Sequence, residues 1–266
     1  MHSLRTYPFE SLLVGTAALL TFAGFWNVYF GPQSEAGPYH HLHIATVLAW
    51  LVLLASQLAL AGSRNYSTHR RLGLLAIVAA PLLVASTTLL SVESARKGVA
   101  SGRGDFMVVQ NVMGTLELAL IIVLAFALRR RRQLHASFLA STALMFAGIA
   151  AFFSLIGFVP GFRIEGPETF DRFGKALVTI QYASLVVGLL FFARDRRNGW
   201  PFLLVGAFPL LNGLIKSLLE QGGLIEPLTG LVGAANQPSA FAASFSTVLL
   251  VLAATGLLKS RVRQLA

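Results

Sequence analysis

"HIATVLAWLVLLASQLALAGSRNYSTHRRLGLLAIVAAPLLVASTTLLSV", residues 43–92, decides the fold. Two apolar runs, His43–Ala61 and Leu72–Val92, flank a short turn that carries Arg64, His69, Arg70 and Arg71. A helix rises about 1.5 Å per residue, so about 20 apolar residues cross the hydrocarbon core of a bilayer. Both runs have that length. Neither alternates polar and apolar residues as a half-buried strand would, and in lipid a helix satisfies its backbone within its own segment. The stretch therefore reads as two membrane-crossing helices joined by a basic turn.

Working outward, six more runs approach the same length: Leu12–Phe30, Phe106–Leu128, Ser137–Phe158, Ala176–Ala193, Trp200–Leu219 and Phe241–Leu258. Composition agrees with lipid as the solvent. The 266 residues are 55% hydrophobic and 12% charged, with mean hydropathy +0.70, whereas ordinary soluble domains carry about 25% charged residues. The expected fold is an all-α, polytopic transmembrane helix bundle of eight spans, a single integral membrane domain over residues 1–266. Arg5 is the one basic residue before the first run and no small-residue cleavage pattern follows. That run reads as a retained span, not a cleaved signal.

The net charge of +10 is a matter of topology. Fourteen basic residues fall on one side of the eight-span threading: Arg5, Arg64, Arg70, Arg71, Arg129 to Arg132, Arg194, Arg196, Arg197, Lys259, Arg261 and Arg263. The opposite loops hold eight acids: Glu35, Glu93, Asp105, Glu165, Glu168, Asp171, Glu220 and Glu226. Cytoplasmic loops retain Lys and Arg, so both termini are expected in the cytoplasm and the chain in the cytoplasmic membrane. The partner implied is the lipid bilayer, with no role for nucleic acid. The chain has no cysteine, which excludes disulfides, thiolate metal sites and covalently attached haem.

The basic turns repeat. Arg64 precedes His69 by five residues and Arg130 precedes His135 by five, each pair just before a new apolar run; the third turn has Gly199 where the spacing would place a histidine. This predicts three helical hairpins flanked by the first and last spans, a weak internal repetition of the kind common in membrane folds. Arginine and histidine here suit headgroup phosphates or helix starts, so Arg64, His69, Arg70, Arg130 and His135 are the candidate lipid-headgroup residues. The pattern His43, Trp50, Gln57, Arg64, His69, Arg70, Gly73, with Arg130 and His135 as its echo, resembles a group of uncharacterised bacterial multi-spanning membrane proteins. The likeness covers spans two to five. It implies placement in a membrane and a repeated hairpin, and no settled activity comes with it.

Polar side chains within the spans supply the functional clue. They are costly in lipid and usually face the bundle interior or a water-filled cavity. His43, Trp50 and Gln57 recur every seven residues; Gln110, Gly114 and Glu117 share one helix face; Asn212 and Lys216 are one turn apart. Asn27, His43, Gln110, Asn111, Gln181, Asn212 and Lys216 all lie in the outer half of their spans, and Glu117 near the middle. The expectation is an outward-facing polar pocket formed by His43, Trp50, Gln110, Asn111, Glu117, Gln181, Asn212 and Lys216. Interhelical hydrogen bonding is the competing account of each Gln or Asn.

The chemistry is less constrained, and no cofactor is implied. His40 and His43, at i and i+3, are the candidate metal ligands, but a catalytic zinc needs a third protein ligand, and no other histidine lies on that side at a matching position. A b-type haem needs two histidines at one depth; His43 and His69 lie at opposite ends of one passage, and His69 with His135 sits among arginines. A retinal-type Schiff base on Lys216 has no supporting residues. The sequence points to a non-catalytic binding or accessory protein for a small polar ligand, metal or lipid headgroup. The alternative is a proton-coupled transporter, and a haem or metal-dependent membrane enzyme comes third.

Overall fold

The computed structural model describes residues 7–264 other than Gln33, Glu35 and Arg103, with side chains as far as Thr255. Arg5 and Glu35, and the side chains of Lys259, Arg261 and Arg263, lie outside the described residues. The described residues are mostly helical, with no strand among them.

Seven helices are long and apolar enough to cross a membrane. They are α2 (Pro38–Gly62), α4 (Ala76–Ser101), α5 (Val108–Ala127), α6 (Arg132–Phe158), α7 (Asp171–Arg194), α8 (Trp200–Gln221) and α10 (Gln237–Gln264). The first apolar run forms α1 (Pro8–Gly24), 17 residues long, and continues after Phe25 as a π-helical turn over Trp26–Phe30. Two short helices complete the chain, α3 (Tyr66–Gly73) and α9 (Ile225–Gly233). Large apolar side chains such as Leu19, Val52, Leu190 and Leu250 are more than half exposed on the outer faces. That is the surface expected where lipid is the solvent, and the whole fits a multi-pass membrane protein.

The helices pack through small residues. A Cβ on Gly188 would strike the Phe202 carbonyl, one on Gly206 the Ser184 carbonyl, and one on Gly213 the Gln181 amide. Gly206 and Gly213, with Gly199 just before α8, recur every seven residues and form a seam against which α7 lies. In lipid, where apolar burial does not drive association, close approach of this kind holds helices together. Gly24 against Ala150 does the same for α1 and α6. Trp50, fully buried, donates its indole N–H to Thr142 Oγ1 at 2.9 Å and so joins α2 to α6.

Contacts gather the basic turns at one end of the bundle. Arg194 reaches Glu10 at 3.1 Å and lies over the Phe9 ring, and Asn198 donates to Gln133 Oε1 at 2.9 Å. These bring the start of α1, the α5–α6 turn and the α7–α8 turn together. The opposite end holds most of the acids and is also tied together. Arg96 donates to the Gly233 and Ala235 carbonyls at 3.0 and 2.8 Å, capping the C-terminus of α9 where a cation suits the helix dipole. Gln237 donates to Glu93 at 2.6 Å and Lys97 to Tyr39 Oη at 2.6 Å.

Several boundaries differ from the sequence reading. The span expected at Leu72–Val92 begins at Ala76 and runs on to Ser101. Glu93, Arg96 and Lys97 looked like loop because they are charged. They are helical because each finds a partner on a neighbouring element. Residues 66–73, expected to be turn and span start, form the separate helix α3, entered through Arg64 at φ 58°.

Candidate functional site

The two histidine turns do the same mechanical job. With its amide nitrogen facing the imidazole, Gln57 donates to His69 Nδ1 at 2.7 Å and its oxygen accepts from the Gly73 N–H at 3.3 Å. The end of α2 thereby holds the short basic helix α3. His135, in the first turn of α6, places Nδ1 2.8 Å from the Ala125 carbonyl at the end of α5, and its ring meets Phe126 edge-on. Each histidine latches its helix to the one before it. At the third turn a Cβ on Gly199 would lie against the carbonyls of Phe191 and Asp195, leaving no room for any side chain. Asp195 orders that turn instead, accepting from the Arg197 and Asn198 N–H groups at 3.1 and 3.0 Å and from Asn198 Nδ2 at 2.9 Å. The Asn198 amide foremost, with those backbone bonds, holds the Asp195 carboxyl below its ordinary range.

An ionisable group at mid-helix sits elsewhere. Glu117 lies nine residues into α5, roughly 14 Å along its axis at about 1.5 Å per residue. Its Oε2 accepts from Asn212 Nδ2 of α8 at 3.1 Å. Both residues are only 5% exposed. Glu117 Oε1, Asn212 Oδ1 and both amide atoms of Gln110 are buried with no hydrogen-bond partner among the described residues. Buried polar groups are almost always satisfied, so four such atoms around one space are a strong signal.

That space is a cavity of about 140 Å³ enclosed by α5, α6, α7 and α8. Gln110, Gly114 and Glu117 form one wall, Ser184 and Asn212 add polar atoms from α7 and α8, and Leu144, Phe152 and Phe208 are among the apolar walls. Gly114 keeps the space open, since a Cβ there would meet nothing within 4 Å. Pro209 also lines it. Proline has no N–H, so the carbonyl of Val205, four residues earlier and on the same wall, loses its helical donor.

Of the eight residues expected in one pocket, the structure brings Gln110, Glu117 and Asn212 together. His43 and Asn111 line a second cavity of about 240 Å³, bounded by α2, α4, α5, α6 and the π turn, with His40, Glu93 and Lys97. Lys216 pairs with Glu220 at 3.5 Å on a third, surface depression beside Asp105 and Glu226. Gln181 is buried against Gly213 and does not reach the Glu117 cavity wall. Trp50 is committed to Thr142. Met107 and Ile149 border both inner cavities and form their common wall.

The metal candidates His40 and His43 share the second cavity, but His40 Nδ1 accepts from the Gly37 N–H at 3.0 Å and His43 Nδ1 lies 3.4 Å from Ser86 Oγ. Among the described residues no three His, Asp or Glu side chains gather as a metal site would need. Sequence reasoning missed Ser184, the place of Pro209 in the cavity wall and the Gln57–His69 latch; Pro209 itself was visible as an intramembrane proline one turn before Asn212. No protein family, curated protein or solved structure matches this chain.

Proposed function

We propose that this chain is a membrane-embedded, non-catalytic binding protein of the cytoplasmic membrane. It crosses eight times with both termini inside, and it holds a small polar-headed ligand in the Glu117–Asn212 cavity, open toward the outer face. One observation carries the reading: four buried polar atoms of Gln110, Glu117 and Asn212 have no partner among the described residues, and all belong to walls of one cavity. A fold built only for stability would replace such groups with apolar side chains or pair them. The basic turns at one end support the threading, with α1 and its π turn as the eighth crossing.

The natural absence of cysteine makes single-cysteine labelling clean. In intact cells, Gln110→Cys and Asn212→Cys react with a small, membrane-impermeant thiosulfonate added outside. Leu214→Cys, on the exposed apolar face of α8, stays unlabelled, and Arg130→Cys reacts only after permeabilisation. Labelling of Asn212→Cys solely from the inside, or not at all, refutes an outward pocket. Flux of a ligand through proteoliposomes that is lost in Glu117→Gln would move the assignment to a carrier.

A further inference from the structure

We infer that the occupant of the Glu117 cavity is a small free amine, bound as its ammonium with the hydrocarbon part against the apolar walls. The inference rests on the binding reading above and names its ligand class.

At the Glu117–Asn212 end, counting donors and acceptors leads there; the Gln110 amide, with one donor and one acceptor unpartnered among the described residues, favours neither sign of charge. At the deep end of the cavity Asn212 gives its amide N–H to Glu117 Oε2. The bond brings two side chains together so that both remaining oxygens, Glu117 Oε1 and Asn212 Oδ1, are without a partner among the described residues. No Lys or Arg forms an ion pair with Glu117 among the described residues. A buried carboxylate needs a cation or hydrogen-bond donors, and an ammonium supplies both. An anion or a ligand with acceptors only would leave these oxygens unsatisfied and add repulsion.

Size and depth narrow the class. The cavity approaches the volume of about 150 Å³ that accepts a benzene ring in an engineered apolar core. Leu144, Phe152 and Phe208 would face such a ring. Glu117 lies about 14 Å along α5, so an aminolipid headgroup could reach it only by drawing its phosphate into the bundle. The free amine fits without that cost.

The test uses the full chain in phosphatidylcholine nanodiscs and a matched series of probes: benzylamine, benzyl alcohol, toluene and benzoate. Affinity is read by calorimetry and by thermal shift. Benzylamine is expected to bind at least tenfold more tightly than toluene, the factor that one charge-assisted hydrogen bond supplies. Benzyl alcohol should fall between them, and benzoate should not bind. Glu117→Gln should remove the preference for benzylamine over benzyl alcohol while retaining benzyl alcohol binding, which shows that the variant is folded. If toluene binds as well as benzylamine, the amine assignment is overturned and the pocket stands. If no probe binds, the binding reading falls with it. Adding phosphatidylethanolamine to the nanodiscs should leave benzylamine affinity unchanged; competition would reassign the ammonium to lipid and overturn the free amine.

Discussion

The Glu117–Asn212 pair makes an unusual prediction about stability. Asn212→Leu removes the donor to Glu117 Oε2 and leaves a buried carboxyl with neither oxygen partnered. Glu117→Met does the converse to the Asn212 amide. Each single substitution strands one new atom and deletes one already stranded, so it should cost only about 0.6 kcal/mol, the lost interhelical hydrogen bond. The double substitution removes both stranded acceptors, each carrying a penalty of about 1–3 kcal/mol, and forfeits one interhelical hydrogen bond of about 0.6 kcal/mol. The sum is a gain of roughly 1–5 kcal/mol, from two changes that are harmful alone. The assay is unfolding in mixed dodecyl maltoside and SDS micelles, followed by tryptophan fluorescence, for the parent, both singles and the double. A double variant no more stable than the parent would mean that the pair is ordinary interhelical glue. The argument that the cavity is kept polar at the expense of stability would then be wrong.

Other elements give sharper, local expectations. Gln57→Leu should release α3 from α2 at a cost of about 1 kcal/mol; faster amide exchange confined to residues 66–73 checks this, and unchanged exchange there counts against the latch. Gly199→Ala should destabilise the protein by about 1–3 kcal/mol, because its Cβ meets two carbonyls, and the loss should appear as a lower Tm with α7 and α8 loosened together. The Asp195 carboxyl titrates below its usual 3.8 when folded, so its bonds stabilise the third turn at every pH above that value. The stabilisation fades as pH falls through the depressed value, and faster exchange of the Arg197 and Asn198 amides only in that acid range is the expected record. Trp50→Phe should leave the buried Thr142 hydroxyl without the indole donor, lowering stability by about 1 kcal/mol beyond what the smaller ring alone costs.

The parts of this molecule that were readable in the sequence, and the parts that were not, follow from what a bilayer constrains. Hydrocarbon thickness fixes how long an apolar run must be, and charge cannot enter it, so the seven long helices and the basic turns were visible directly. The same rule misread residues 93–101. Charge marks where a helix leaves lipid, not where it ends, and α4 continues because Arg96, Glu93 and Lys97 each bind a neighbouring element. Depth works in the same way for the site. Position along a span gives each polar residue a height, and His43, Gln110, Asn111 and Asn212 do lie in the half of their helices away from the basic turns. Height says nothing of direction around the bundle. Within α5, the 3.6-residue period correctly set Gln110, Gly114 and Glu117 on one face, since that requires only one helix. Joining Glu117 to Asn212 across 95 positions of chain requires knowing that α5 packs beside α8, a long-range pairing that no spacing within one helix encodes. His43 has the right height but faces Ser86 of α4, so it lines the neighbouring cavity. Adjacent Gln110 and Asn111, about 100° apart on α5, likewise belong to different cavities. One pocket inferred from depth alone was therefore bound to merge spaces that Met107 and Ile149 keep apart.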